Sequence, residues 1–181
     1  MAAGERAGAR PEATKNGGRS PSFKTFLAAL DTTGLTQMLT TGTPGADTVM
    51  AVFAAVEQRD DQALARACQS DVEFCWPPSL PYGGSARGLA RRGEGWAAYW
   101  DRLQPTAEHR QLHPRVIAAA GQEVVVLWRQ RGLTPAGDSL DSEVLGLYRL
   151  SDGKLARGQM FYFDPASVCA FLARASRAAP A

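Results

Sequence analysis

The stretch from residue 123 to residue 172 constrains this chain most. Residues 123–131 read as a strand, Pro135 to Gly137 turns the chain, and residues 139–150 read as the next strand. Asp152-Gly153 supplies the backbone angles of a tight hairpin, and residues 154–163 form the next strand. Asp164 then offers an N-cap and Pro165 a first helical residue, with Val168, Phe171 and Leu172 as the buried face of the helix that follows. Three long neighbouring strands closed by a packed helix suit a curved sheet around a pocket.

Upstream, the pattern changes. Residues 1–21 are rich in Ala, Gly, Arg, Pro and Ser, and bury too little to offset the cost of ordering; they are expected to be a disordered tail. Residues 22–45 read as a helical segment, with Phe23, Phe26, Leu27 and Leu30 at helical spacing, and a linker from Thr40 that contains Gly42, Pro44 and Gly45. The folded domain is expected over residues 46–176. It opens with a helix whose face is Met50, Phe53, Ala54 and Val56, a break at Arg59-Asp60, and a short helix with Leu64. A strand at 71–76, a rigid Pro- and Gly-rich loop around Tyr82, a helix at 89–103 and a strand at 112–119 precede the meander. The order is α+β, an antiparallel meander with helices on one face of a curved sheet.

Composition excludes several classes. A net charge of +2 over 181 residues, partly in the first 24, is no basic stripe for nucleic acid. No run of 18 apolar residues spans a membrane. Three cysteines without close spacing argue against a disulfide framework or zinc site, and His109 and His113 stand where a strand is expected, so no metal is expected. The expected setting is the cytoplasm, with no cofactor. Cys75 has no histidine or basic residue near it in sequence to make it a nucleophile.

Three phrases, Ala54 to Asp61, Ser70 to Phe74 and Val124 to Arg129, come in an order closed by Leu150 to Leu155 and Tyr162 to Pro165. Together they resemble the nuclear-transport-factor-2-like superfamily, in its SnoaL-like branch, over residues 46–174. The loop from Trp76 to Gly83 is similar to that of limonene-epoxide hydrolases. The resemblance implies a cone-shaped, curved antiparallel sheet with helices packed on its concave face around a deep pocket, homodimers through the outer sheet face, and functions from steroid isomerase, polyketide cyclase and dehydratase to no catalysis. Fold alone does not choose among them. Carried over by position, the family's ionisable groups are missing. The isomerase base falls on Trp76, and its oxyanion-hole tyrosine and acid fall on Val52 and Gly146. The acid of the hydrolases and cyclases falls on Phe161 or Met160. The hydrolase tyrosine and asparagine fall on Phe74 and Trp76, and its Arg-Asp pair falls on Trp128 and Gln130, or on Leu127 and Arg129.

Family alternation points Phe74, Trp76, Ser142, Val144, Gly146, Gln159, Phe161 and Phe163 inward, with Trp128 and Gln130 beside them. With Phe53 and Tyr82 they either fill the cone as core or bind an apolar, polycyclic or polyketide-like molecule. Gln130 and Gln159 are the candidate catalytic helpers, and Glu73, Asp141, Glu143, Arg129 and Arg131 are expected outside, the arginines solubilising or paired with Glu143. The expected function is a cofactor-free pocket enzyme of secondary metabolism, of cyclase, isomerase, dehydratase or epoxide-opening type. The alternative is a non-catalytic ligand-binding or dimerisation module.

Overall fold

A computed structural model describes residues 44–89 and 95–177. The expected tail, the segment at 22–40 and residues 90–94 of the helix expected at 89–103 lie outside those residues.

The described chain begins with α1 (Pro44–Gln58) and α2 (Asp61–Ala67), then β1 (Cys68–Trp76) and β2 (Gly84–Arg87). A short helix α3 (Trp96–Trp100) runs into a 3-10 turn at Asp101–Leu103, and α4 (Ala107–Arg110) is a single turn. The rest is β3 (Arg115–Ala120), β4 (Glu123–Leu133), β5 (Ser139–Ser151), β6 (Lys154–Tyr162) and α5 (Pro165–Arg177). One six-stranded open sheet has the order β2-β1-β6-β5-β4-β3. Its pairs are antiparallel except β1 and β6, which run parallel because the chain from β1 returns to that edge only after the whole meander. No helix among the described residues is long and apolar enough to cross a membrane.

Local chemistry sets the boundaries. Arg59, at φ 56°, ends α1 in the left-handed region, and the Asp60 carboxylate accepts from Ala63 N at 2.8 Å to start α2. Asp152 and Gly153, at φ 50° and 74°, make the β5–β6 hairpin with both central residues left-handed. Asp164 caps α5 by accepting from Ser167 N at 2.9 Å and Ser167 Oγ at 2.6 Å, and those bonds hold its carboxyl below the usual range. Val168, Phe171 and Leu172 of α5 are buried.

Several expectations shift. The buried face of α1 is Val49, Val52, Phe53 and Ala55, not the Met50 and Ala54 row, because the turns meet the sheet one position earlier. The loop after Trp76 contains β2, which adds an edge to β1. The strand expected from Leu112 begins at Arg115. His113, at φ 47°, breaks it, and Leu112 is instead held by its N–H donating to Glu57 Oε1 at 2.7 Å. His109 sits in α4 with Nδ1 2.7 Å from Thr106 Oγ1.

Facing residues across β4 and β5 show the two sides of the sheet. Val124, Val126, Trp128 and Gln130 are buried, as are Ser142, Val144, Gly146 and Tyr148. Arg129, Asp141 and Glu143 lie on the other face; Arg129 pairs with Asp141 at 2.8 Å rather than with Glu143. Strand β6 departs from simple alternation. It pairs Leu150 with Leu155 but Arg149 with Arg157, so one extra residue is inserted opposite β5. A bulge of this kind exchanges the faces of every residue beyond it.

Candidate functional site

Helix α1, the inner faces of β1, β4, β5 and β6, and the start of α3 enclose a cavity of about 100 Å³. Phe53 of α1, Phe74 and Trp76 of β1, Trp96 of α3, Trp128 of β4 and Tyr148 of β5 are its ring-bearing walls, and Met160 and small or aliphatic residues complete it. The rings meet mostly edge to face: Phe53 stands 6.0 Å from Trp128 and 5.6 Å from Tyr148, which suits aromatic quadrupoles.

Two glycines allow this floor to be flat. Tyr148 lies along β5 so closely over Gly146 that a Cβ there would stand 2.5 Å from the Tyr148 hydroxyl. A Cβ at Gly158, its partner on β6, would be 3.2 Å from Tyr148 Cε1. The position where the family's isomerases carry an acid is therefore covered by a phenol from two residues further along the same face. Burial pushes the Tyr148 phenol well above its ordinary range, and the neighbouring Trp128 indole N–H offsets only part of that. The N–H falls outside hydrogen-bond geometry and has no partner.

Two pairs of polar groups behind the wall bond to one another. Gln130, fully buried, accepts from Trp96 Nε1 at 3.0 Å through Oε1, and its amide faces the Arg131 carbonyl at 3.4 Å. The Tyr82 and Tyr162 hydroxyls are 3.1 Å apart. Burial pushes Tyr82 up to about 12 and moves Tyr162 further in the same direction. These phenols are donors at neutral pH, not bases. Among the described residues, the cavity lining carries no carboxylate, imidazole, thiol, amine or guanidinium. Among the described residues no cluster of His, Cys, Asp and Glu could hold a metal ion.

The structure places Phe53, Phe74, Trp76 and Trp128 on the cavity wall. Tyr82, Ser142, Val144 and Gly146 are buried but do not line it. Gln159, Phe161 and Phe163 require correction. The bulge in β6 turns Gly158, Met160 and Tyr162 inward and those three outward. Phe161 is 48% exposed and Phe163 64% exposed. Gln159 accepts from Arg157 at 3.3 Å on the outer face, beside a hollow of about 200 Å³ formed with Leu147 and Arg149. That hollow is larger, but its arginines are already engaged, Arg149 by Glu123 at 2.7 Å and Arg157 by Glu73 at 3.6 Å. Cys75 is not without a basic neighbour: Arg157 Nη2 lies 3.6 Å from its Sγ, brought there by β1–β6 pairing. Sequence reasoning missed Tyr148, although continuing the inward row from Val144 and Gly146 reaches it. Trp96 carries no signal beyond its place in the helix expected at 89–103, and Met160 is hidden by the bulge.

The SnoaL-like domain model matches residues 49–158, more than half of the chain. No curated protein matches the sequence. Among solved structures, TerC co-crystallised with polyporic acid is similar, at 22% identity and TM-score 0.58, covering 70% of this chain and 96% of its own. An NTF2-like protein of unknown function from Burkholderia pseudomallei is 20% identical at TM-score 0.58, covering 72% and 98%. A candidate SnoaL-like polyketide cyclase from Jannaschia sp. CCS1 is 19% identical at TM-score 0.54, covering 72% and 92%. At these identities the likenesses establish the fold, and with the matched domain they place the chain in one family: it belongs to the SnoaL-like proteins of nuclear-transport-factor-2-like fold.

Proposed function

We propose that this chain binds a small, uncharged, flat organic molecule in the aromatic cavity, without acid–base chemistry of its own. The observation that carries the reading is the lining among the described residues: rings and aliphatics with no group able to exchange a proton near pH 7. General acid–base catalysis needs a titrating group within reach of the reacting atom. Gln130, once a candidate helper, is engaged with Trp96, and Gln159 is on the wrong face. The non-catalytic ligand-binding reading is therefore preferred to the cyclase, isomerase, dehydratase or epoxide-opening one. The likeness to TerC with polyporic acid and to the Jannaschia candidate cyclase supports an organic ligand.

The volume limits that ligand. A closed cavity of about 150 Å³ takes up benzene, so about 100 Å³ seats part of one ring. The rest of any larger skeleton would lie at the rim by Ala86, Gly88 and Gly95. Burying about 150 Å² at about 25 cal/mol/Å² yields about 4 kcal/mol, a Kd of about 1 mM. At roughly 5 mM toluene the fold gains about 1 kcal/mol, or about 2–4 °C in Tm. Benzoate, with a charge the lining cannot pair, is expected to leave Tm unchanged. Equal shifts with toluene and benzoate, or none with toluene, would sink the reading. Chemical change of an offered polyketide would favour the enzyme reading instead. Homodimerisation belongs to the same proposal, supported by exposed Phe161 beside Leu145 on the outer face; sedimentation of Phe161→Asp as a monomer, against a wild-type dimer, tests it.

A further inference from the structure

A row of charged residues runs straight across the outer face of the sheet. Glu123 of β4 stands opposite Arg149 of β5, Arg149 opposite Arg157 of β6, Arg157 opposite Glu73 of β1, and Glu73 opposite Arg87 of β2. The signs alternate along this row except at one step. Between β5 and β6 an arginine faces an arginine. Like charges at facing positions of neighbouring strands destabilise a sheet. Each of these two guanidiniums finds a carboxylate only on its far flank. Arg149 gives Nε and Nη2 to a single oxygen of Glu123, at 3.2 and 2.7 Å. Arg157 lies 3.6 Å from the Glu73 carboxylate, which Arg87 also approaches at 3.6 Å. The row therefore holds three guanidiniums and two carboxylates. The outer hollow of about 200 Å³ lies at the like-charged step, lined by Arg149 and Arg157 together with Leu147 and Gln159. That is several times the ~30 Å³ share of one water molecule.

We propose that this hollow is a phosphate-binding site, in which the phosphate group of a small molecule bridges Arg149 and Arg157 across the seam between β5 and β6. An anion at that step restores alternating charge along the whole row. The lining supplies donors and no competing acid. A guanidinium is a planar fork of N–H donors with no acceptor, a shape that matches phosphate oxygens. Gln159 Oε1 accepts from Arg157 Nη2 at 3.3 Å, which leaves the amide N–H groups of Gln159 as a further donor. Three donor groups around one hollow suit the several terminal oxygens of a phosphate better than the two of a carboxylate. Tyr148 and Gly158, the chain neighbours of Arg149 and Arg157, are buried on the inner side, so the site lies on the opposite face of the sheet from the aromatic cavity. It is independent of the ring-binding reading, and either stands without the other.

The test titrates inorganic phosphate, phenyl phosphate and acetate into the wild-type protein. Ionic strength is held constant with chloride so that screening does not change. The arginine Nε–H and glutamine side-chain amide signals are followed by NMR. Both phosphates are expected to move Arg149, Arg157 and Gln159 to saturation. Arg129, paired with Asp141 at 2.8 Å elsewhere on the same face, is expected to stay in place, and acetate is expected to move none of them. Arg157→Gln should weaken phosphate binding about tenfold, the worth of one charge-assisted hydrogen bond. Arg129→Gln removes the same charge from the same face and should leave the affinity unchanged. Tighter binding of phenyl phosphate than of inorganic phosphate upholds the site with an organic monoester as its ligand; equal affinity upholds it with the free ion. Absence of any shift overturns the proposal. So do shifts spread over every exposed arginine, equal losses in the two variants, or acetate acting as well as phosphate, each of which reduces the effect to diffuse counter-ion attraction.

Discussion

Gly146→Ala isolates the packing that shapes the cavity. The new methyl would stand 2.4 Å from Cε2, 2.5 Å from Oη and 2.6 Å from Cζ of Tyr148. Carbon atoms ordinarily rest about 3.5–4.0 Å apart, so the ring must move by about 1 Å. It is 4% exposed and backed by Phe53 at 5.6 Å, so it can move only toward the cavity. Overpacking of this kind costs about 1–3 kcal/mol. Gly146 has ordinary extended geometry, so alanine also restricts the unfolded chain and returns about 0.5–1 kcal/mol. The expected net loss is about 0.5–2 kcal/mol, read from urea unfolding, with loss of arene binding as the ring fills the cavity. On a Tyr148→Ala background the clash is gone, and the same substitution should become stabilising by about 0.5–1 kcal/mol. The sign reversal gives a coupling of about 1–3 kcal/mol in a double-mutant cycle. Equal effects in both backgrounds would refute the account of Tyr148 lying on the sheet.

Gln130→Ala should destabilise by about 1–3 kcal/mol, because it orphans Trp96 Nε1 and opens a void; chemical denaturation measures it. Gln159→Ala should leave arene binding unchanged in an NMR titration, since its amide lies on the outer face with Arg157. Alkaline pH should weaken the fold through the buried phenols. Folding raises Tyr82 from 10.0 to about 12, and Tyr148 and Tyr162 shift the same way. The folded chain then holds protons the unfolded chain releases, so this stability is complete below about pH 10 and is lost as pH rises to 12 and beyond. For Tyr82 alone two pKa units correspond to about 2–3 kcal/mol, and unfolding followed with tyrosinate absorbance across pH 8–11 should show the fall beginning near pH 10. Arg149→Ala should change stability by less than about 1 kcal/mol in the same assay, because its pair with Glu123 is solvent-exposed.

Much of the architecture was legible because it follows from local rules. The faces of β4 and β5 are legible only through the superfamily resemblance, because Val124 to Trp128 is one apolar run that leaves the register at Arg129 and Gln130 open; the structure points Trp128 and Gln130 inward and Arg129 and Glu143 outward. Asp152-Gly153 and Asp164-Pro165 fixed the hairpin and the last helix through backbone angles and a cap. The site was read less well. Gln159, Phe161 and Phe163 were assigned to the wrong face because a bulge is an event between two strands, with no mark in either one alone. Tyr148 was passed over because an inward tyrosine reads as filler until the missing side chain at Gly146 shows where its hydroxyl goes. Edge strand β2 was taken for loop, since a four-residue strand has too few alternations to register.

The inserted residue in β6 bears on how any site can be compared between relatives of this chain. Upstream of it, equivalent sequence positions share an environment; downstream, a relative lacking the insertion would present the opposite set of side chains to its interior. Column-by-column transfer of a catalytic acid onto Met160 or Phe161 thus depends on a one-residue offset, and a single deletion at Ala156 would put Phe161 in the place of Met160 on the chamber wall.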